Sequence, residues 1–508
     1  MRIRRVKTAS GATAVQIVSY RHGQRHVIEH LGSAHDPAAL AALETAGREK
    51  INANQLTFDL ELAEEGRTDS TRPGRSRSSL VLKGTRSRLL WEVLESAYTR
   101  IFGEAVTDEV FTQLVIARVI EPTSKKDSLR VIGNYAPTPA PSYPTLKRRL
   151  KQIIDQQWRD DLCRAAYAYA AGAGAVSVVL YDATTLYFET DEEDETRKVG
   201  YSKERRVDPQ VVIGLLVDKT GFPLDVHCFE GNTAETHTII PVLDAFRARH
   251  GVENMLVVAD AGMLSYANLT ALEEAGYQYV VGTRSSKAPY DLAETFAARG
   301  NYFADGEIIE ATTQLKKNVA SSTRRAVWQY RHKREQRDRR NQTLQIQRAE
   351  DIAAGRKQQR KARFLTGGGP KTLAVDYEAA KRAQYYFGLK GYVTSASEEI
   401  LTGAEVIAAY HSLFEVEASF RMAKSDLAAR PIFHHTRDSI EGHLTIVFCA
   451  LAIARDLQNR SGASINKILT TLEPVRDGIG EINGIETLIP AQIPESARTL
   501  LNQLDPPH

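Results

Sequence analysis

Apolar and polar positions alternate near the start of the chain. Ala14-Val-Gln-Ile-Val-Ser-Tyr20 and Arg25-His-Val-Ile-Glu-His-Leu31, parted by Arg21-His-Gly23, read as two strands and a turn. Pro37 to Asn52 reads as a helix. Helical periodicity then runs through Leu89–Ile132 and Thr145–Ala171, punctuated by Pro122-Thr-Ser-Lys and Pro137-Thr-Pro-Ala-Pro141. From Val176 the pattern changes. Val176-Ser-Val-Val-Leu-Tyr-Asp182 predicts a strand ending at Asp182. Gln210–Asp218 and Phe222–Phe229 form a hairpin around Lys219-Thr-Gly221. A helix at Glu235–His250, a short buried strand at Met255–Ala259, a helix at Tyr266–Ala275 and a strand at Tyr277–Thr283 follow. The order is βββαβαβ. Arg382 to Thr394 is aromatic and β-branched and reads as strand. Tyr410 to Lys424 is helical, and the apolar run Leu444–Ala454 suits a buried helix but is too short for a membrane span.

This order predicts an α/β core in which a strand trio is followed by a crossover helix and a strand parallel to the first. The crossover brings the C-terminal ends of the first and fourth strands together, where ligands of such sheets gather. Asp182 and Asp260 both end apolar runs, 78 positions apart, and Glu417 follows 157 positions later. The second gap is too long for a crossover to a last core helix, so an insertion is expected. The expected division is an N-terminal hairpin and helix region at 1–66, a basic linker at 67–88 and a helical module at 89–171. A first core segment at 172–286, an insertion at 287–400, a last core segment at 401–460 and a tail at 461–508 complete it.

Composition is that of an ordinary globular chain: 508 residues, 42% hydrophobic and 25% charged, with a net charge of +3. The distribution of charge is more informative. Residues 316–363 hold 16 Lys or Arg against 4 acids, and residues 67–88 hold 7 against 1. Segregated basic blocks in a near-neutral chain suit a polyanionic partner. Cys163, Cys228 and Cys449 show no paired spacing, so no zinc site or disulfide framework is expected, and a reducing cytoplasm fits. The opening Met-Arg-Ile-Arg-Arg-Val-Lys lacks the apolar stretch of a signal peptide.

The candidate chemistry is a carboxylate trio. Asp182 and Asp260 at strand ends and Glu417 on a helix could gather two hard divalent ions, which prefer carboxylate oxygen over Cys or His. A lone Asp at a strand end is most often a turn or capping residue; the three in this order are far more specific. Tyr410, Glu417 and Lys424 are seven apart and fall on one helical stripe, with Arg421 one turn beyond Glu417. The bland alternative has Tyr410 and Phe414 in the core and Glu417 paired with Arg421.

At these residues the chain resembles the DDE transposases of bacterial insertion sequences. It is similar to the branch with an RNase H-like catalytic core, a β-rich insertion before the Glu, and a Tyr-x2-Arg-x3-Glu-x6-Lys signature. Here that signature reads Tyr410-x2-Leu413-x3-Glu417-x6-Lys424, so Leu413 stands at the Arg position and Arg421 or Arg430 becomes the candidate for the missing charge. Tyr181-Asp-Ala-Thr-Thr-Leu-Tyr187, Phe229-Glu-Gly-Asn232, Ala259-Asp-Ala-Gly262 and Arg430-Pro-Ile-Phe-His-His also resemble this branch.

The resemblance implies an α/β fold with the RNase H-like core interrupted by the insertion and preceded by a mostly helical DNA-binding region. It implies catalysis and metal binding by Asp182, Asp260 and Glu417, with two Mg²⁺ ions that Mn²⁺ can replace. The implied partner is double-stranded DNA, both terminal inverted repeats and target, bound by a homodimer. Cleavage would be followed by attack of the freed 3′-hydroxyl, through a hairpin at the element end. Tyr410, Lys424, Arg421 and Arg430 would contact the backbone, and Trp328 would either stack on a displaced base or fill the core. His435 and His443 read as packing or phosphate contacts, and the acidic run Asp191–Glu195 as a solvated loop with Lys198, Tyr201, Ser202 and Lys203 behind it. The competing readings are an RNase H-like nuclease or resolvase, a catalytically silent DNA-binding derivative, and a metal-dependent phosphatase. Strand-transfer products separate the first; the intact trio and the basic blocks weigh against the others.

Overall fold

In the computed structural model, the described residues are 2–7, 13–21, 24–34, 36, 43, 81–174, 176–190, 192–200, 208–252, 255–263, 265–316, 319–358, 362–367, 372–434, 436–482 and 485–504. The helix expected at 37–52 lies almost wholly outside them, and the basic linker expected at 67–88 is described only from residue 81 on. The chain divides into two units, 1–85 with 477–491, and 86–476 with 492–508.

In the first unit, β1 (Arg2–Lys7), β2 (Thr13–Arg21) and β3 (Gln24–Ala34) form an antiparallel sheet. Ala14, Val15, Ile17 and Val18 of β2 are buried, and the register shifts opposite Gln16 and Val18 place the extra residue on β3. β4 (Val81–Arg86) joins the C-terminal hairpin in a second small sheet.

The second unit opens with α1 (Arg88–Phe102), α2 (Glu109–Ile120), α3 (Ser128–Tyr135), α4 (Tyr143–Asp155) and α5 (Trp158–Gly172). Asp108 and Ser142 cap α2 and α4 by accepting from the backbone N–H of Phe111 and Thr145. Then come β5 (Val178–Tyr187), β6 (Gln210–Asp218), β7 (Pro223–Glu230), α6 (Ile239–His250), β8 (Leu256–Ala259), α7 (Tyr266–Glu274) and β9 (Gln278–Gly282). The expected βββαβαβ order stands. β5 pairs with β8 and β8 with β9 in parallel, while β6 and β7 continue β5 antiparallel. β8 is buried throughout and β6 nearly so, as continuous apolar strands covered on both faces should be.

Residues 287–400 depart from a simple inserted domain. They form α8 (Ala288–Asp291), α9 (Ala293–Arg299), β10 (Ile308–Gln314), β11 (Thr323–Tyr330) and the charged helix α10 (His332–Ala353). The short pair β12 (Leu365–Thr366) and β13 (Ala374–Val375), then α11 (Tyr377–Gln384) and β14 (Leu389–Thr394), complete them. β14 pairs with β9, so β10, β11 and β14 extend the core sheet to the order β10-β11-β14-β9-β8-β5-β6-β7. The strand expected at 382–394 begins only at Leu389, because Asp376 caps a helix that runs to Gln384.

Next follow α12 (Gly403–His411), opened by a Thr402–Glu405 capping box, α13 (Phe414–Ser425) and α14 (Arg437–Ser461). α15 (Ile465–Leu472), the hairpin strands β15 (Asp477–Ile482) and β16 (Ile485–Ile489), and α16 (Glu495–Leu504) end the chain. α14 is buried over 17 of its 25 residues, which makes it a central post, not a surface helix. α1, α2 and α4 pack directly on it. The 89–171 helices therefore share a core with α14 and are not a separate module. Among the described residues, no helix is long and apolar enough to cross a membrane.

Candidate active site

Asp182 does not end its strand. β5 continues to Tyr187 because β6 pairs with it along its whole length, with Asp182 opposite Leu215. It is β8 that stops short: its parallel pairing with β5 is described to Leu180 and Val258, and Asp260 follows β8's last residue, Ala259. The register offset of this pairing is the 78 positions that separate Asp182 from Asp260, so the two acids stand abreast where β8 ends. Each takes its own following backbone N–H as a donor, Ala183 to Asp182 Oδ1 at 2.8 Å and Ala261 to Asp260 Oδ1 at 2.6 Å.

Alternation along β5 sets which face Asp182 shares. Tyr181 is buried on one face, where its hydroxyl donates to Thr238 Oγ1 at 2.6 Å. Thr184 and Leu186 lie on the other, beside Phe420, Ala423 and Lys424 of α13. Lys424 Nζ donates to Thr184 Oγ1 across this seam. Asp182, two residues before Thr184, belongs to the face that α13 covers, and Glu417 lies two turns before Lys424 on the same stripe of α13.

Tyr410 joins the site from a different helix. The single helix expected from 410 to 424 is interrupted at Ser412 and Leu413. There Leu413 N–H donates to Tyr410 O and Glu415 N–H to Ser412 O, in the tighter i to i−3 pattern. Tyr410 and Glu417 thus sit on two successive helices. Tyr410 Oη instead donates to Asp260 Oδ1 at 3.1 Å. Its ring lies against Gly282, where a Cβ would stand 2.5 Å from the hydroxyl oxygen, so no larger residue fits there without movement. Tyr392 packs at 4.9 Å between ring centroids and Lys390 Nζ sits 5.1 Å over the Tyr410 ring. Burial, then Asp260 and more weakly Glu417, hold the Tyr410 phenol above its ordinary range, so it remains a proton donor. Burial and Arg334 push the Lys390 ammonium down, opposed by Asp260.

A buried clamp fixes where α13 sits. Arg455 of α14 donates from Nε to Gly221 O at 3.0 Å and from Nη2 to Glu415 O at 3.1 Å, and it pairs with the Glu415 carboxylate. Ser419 Oγ donates to the same Gly221 oxygen at 2.7 Å. The turn between β6 and β7, α13 and α14 are joined at one carbonyl. Glu415 is committed to Arg455, whereas Glu417 is exposed and makes no ion pair with Arg421 among the described residues.

The other expected contacts separate into two groups. Arg421 is exposed on α13, and Arg430 stacks over the Tyr187 ring at 5.5 Å, beside the end of β5. Leu413 is buried, which suits an apolar residue at the position where the signature has Arg. Trp328 is fully buried on β11 with Ala288, Leu292, Ile309 and Leu389. Its ring offers no face to a base in this structure; the core-packing alternative describes it. His443 is buried and holds Ala429 O through Nε2 at 3.2 Å. Asp194 of the acidic run pairs with Arg197, and His435, Asp191, Tyr201, Ser202 and Lys203 lie outside the described residues. Thr184, Lys390 and the Arg455 clamp were not anticipated. No spacing marks Lys390 or Arg455, while Thr184 could have been found from its shared parity with Asp182.

Residues 175–453, just over half of the chain, match the family model described as "Transposase DDE domain". The chain belongs to the DDE transposase family. A solved structure titled as a piggyBac transposase synaptic complex with hairpin DNA is similar over 84% of this chain and 82% of its own, at 9% identity and a TM-score of 0.37. No curated protein matches the chain.

DDE transposases generally use divalent metal ions. Among the described residues, no group of three acids, Cys or His is drawn together tightly enough to hold one. The donor chemistry of the Asp182 and Asp260 pair nevertheless suits a hard ion: two carboxylates abreast at a strand end, with Glu417 on the helix over the same face.

Proposed function

We propose that this transposase binds the terminal inverted repeats of an insertion sequence, cuts the DNA at the element's ends and joins the freed 3′-hydroxyl to target DNA. In this reading β5 to β9 with α13 form an RNase H-like core, and 287–400 is its β-rich insertion. The observation that carries it is the parallel register that sets Asp182 beside Asp260, under the helix that bears Glu417.

Asp182, Asp260 and Glu417 would hold Mg²⁺, or Mn²⁺ in its place. Bound there, the ions supply charge stabilisation at the attacking and leaving oxygens of phosphoryl transfer. The remaining work belongs to the chain's own groups. Tyr410 fixes the orientation of the Asp260 carboxylate through its hydroxyl. Lys424, tied to Thr184 beside Asp182, and Lys390 over the Tyr410 ring bring positive charge to phosphates. Arg430 and Arg421 extend that charge along α13 and the segment after it. The first strand attack would close a hairpin at the element end, and two subunits would act on two ends.

The test uses terminal-repeat duplex and Mg²⁺. Asp182→Asn, Asp260→Asn and Glu417→Ala should each abolish nicking and leave duplex binding within a few-fold of wild type. A denaturing gel would resolve nicks, hairpins and joined products. Normal cutting by Glu417→Ala would overturn the trio, and cutting without joined products would favour a nuclease over a transposase.

A further inference from the structure

Away from the acids lies a second concentration of charge, and it is buried. Lys125 sits in the turn between α2 and α3 with only 7% of its surface exposed, and Arg118 of α2 is 5% exposed. Lys125 Nζ lies 3.3 Å from His443 Nδ1. His443 donates its other ring hydrogen to Ala429 O, so Nδ1 is the bare, accepting nitrogen and the imidazole is neutral. His434 packs on His443 at 5.4 Å between centroids. Among the described residues, Arg118 forms no ion pair, and no carboxylate pairs with Lys125. Two buried cations whose neighbours are basic or neutral are a costly arrangement unless an anion supplies the missing charge.

The space for that anion is present. Lys125 lines an open cleft of about 360 Å³ between α4 and the start of α14. Lys147 and Lys151 of α4 are exposed at its rim, with His434, Thr436 and Ser439 on the opposite wall. Thr436 caps α14, a 25-residue helix, so the wall also presents the positive end of a long helix. The carboxylate at the rim, Asp438, is exposed. Burial, reinforced by Arg118, depresses the proton affinity of Lys125, as an unanswered cation requires.

We propose that this cleft seats a backbone phosphate of duplex DNA, with Lys125 as its buried contact and Lys147 and Lys151 as its rim. The proposal rests on the transposase reading for the identity of the polyanion. The segment between α13 and α14 connects the two places. It carries Arg430, stacked over Tyr187 at the end of the Asp182 strand, and then His434 and Thr436 of the cleft wall. A duplex held across the acids and followed along this segment arrives at Lys125.

The experiment uses full-length protein and a random-sequence duplex across a salt series. Lys125→Met keeps the apolar stem and removes the charge. It should lower the slope of log affinity against log salt by about 0.9, the value for one lost phosphate contact. In a second arm, sodium phosphate should raise the wild-type melting temperature more than sodium chloride of equal ionic strength, and Lys125→Met should abolish the difference. If Lys125→Met fails to fold, the exposed double variant Lys147→Gln with Lys151→Gln decides, and it too should flatten the slope. An unchanged slope in the variant that folds overturns the proposal. Phosphate stabilisation with an unchanged DNA slope overturns the duplex assignment in favour of a small phosphate ligand. Failure of the wild type to bind any duplex would instead refute the transposase reading itself.

Discussion

Tyr410 shows how much one side chain contributes to the geometry of the acids. Its ring is fixed by Gly282 and Tyr392, and only its hydroxyl reaches Asp260. Tyr410→Phe should therefore keep the packing and release the carboxylate. Loss of a group that orients a metal-binding side chain typically costs about 10–100-fold in activity or metal affinity. The expected result is a higher Mg²⁺ requirement for cleavage, with stability lowered by no more than about 1 kcal/mol. A wild-type Mg²⁺ dependence would show that Asp260 needs no such support. At this scale, legibility in the sequence followed chemistry more than position. Asp182, Asp260 and Tyr410 stood out because their types and spacings are uncommon together. Lys390 did not, because its place over Tyr410 arises from β14 pairing with β9 across more than a hundred residues. Trp328 was open between stacking and packing in the sequence, because it lies in a basic block, four residues after Arg324. The strand that carries it is buried on both faces from Ala326 to Gln329, which encloses the indole.

Among elements, the decisive contact is the one that places α13. Gly221 has φ +80°, and a Cβ there would stand 1.5 Å from Arg455 Nη2. Gly221→Ala should therefore strain the turn and expel the guanidinium that holds Glu415. Leaving one partner of a buried charge pair alone costs about 3–5 kcal/mol, with Glu415 only partly buried and the lower figure more apt. Arg455→Met should give a similar loss, and Arg455→Met with Glu415→Gln should recover part of it, since the stranded carboxylate is gone. Denaturant unfolding of the three variants measures this, and additive losses would argue that the residues are not coupled. The elements themselves were largely readable. The hairpin of β6 and β7, the short β8 and the length of α14 all follow from local apolar patterning. The break at Ser412–Leu413 was not, because neither residue is a helix breaker and the interruption is a change in hydrogen-bond register.

For the whole molecule, chain order and three-dimensional order disagree. The helices of 89–171 precede every acid of the site, which suits a separate helical module ahead of the catalytic strands. Their packing says otherwise. The apolar faces of α1, α2 and α4 close on α14, which is contributed from residues 437–461. Polar links reinforce this: Arg100 pairs with Asp456 at 2.8 Å, and Arg159 holds Thr445 at 3.1 Å and Glu441 O at 2.7 Å. Sequence periodicity shows that a helix has an apolar face but not which distant segment covers it. A fragment ending at Ala171 should accordingly expose that surface, aggregate or remain partly collapsed, and unfold without a cooperative transition. Near-ultraviolet circular dichroism and the fluorescence of Trp91 and Trp158, both buried in the intact chain, report on this directly. A sharp denaturant transition with native-like tryptophan emission would restore an autonomous N-terminal reader. Otherwise, preference for terminal-repeat over scrambled duplex has to be measured on the full-length protein at fixed salt. There, helices packed on α14 would couple recognition of the repeat to the segment that leads from α14 back to Glu417.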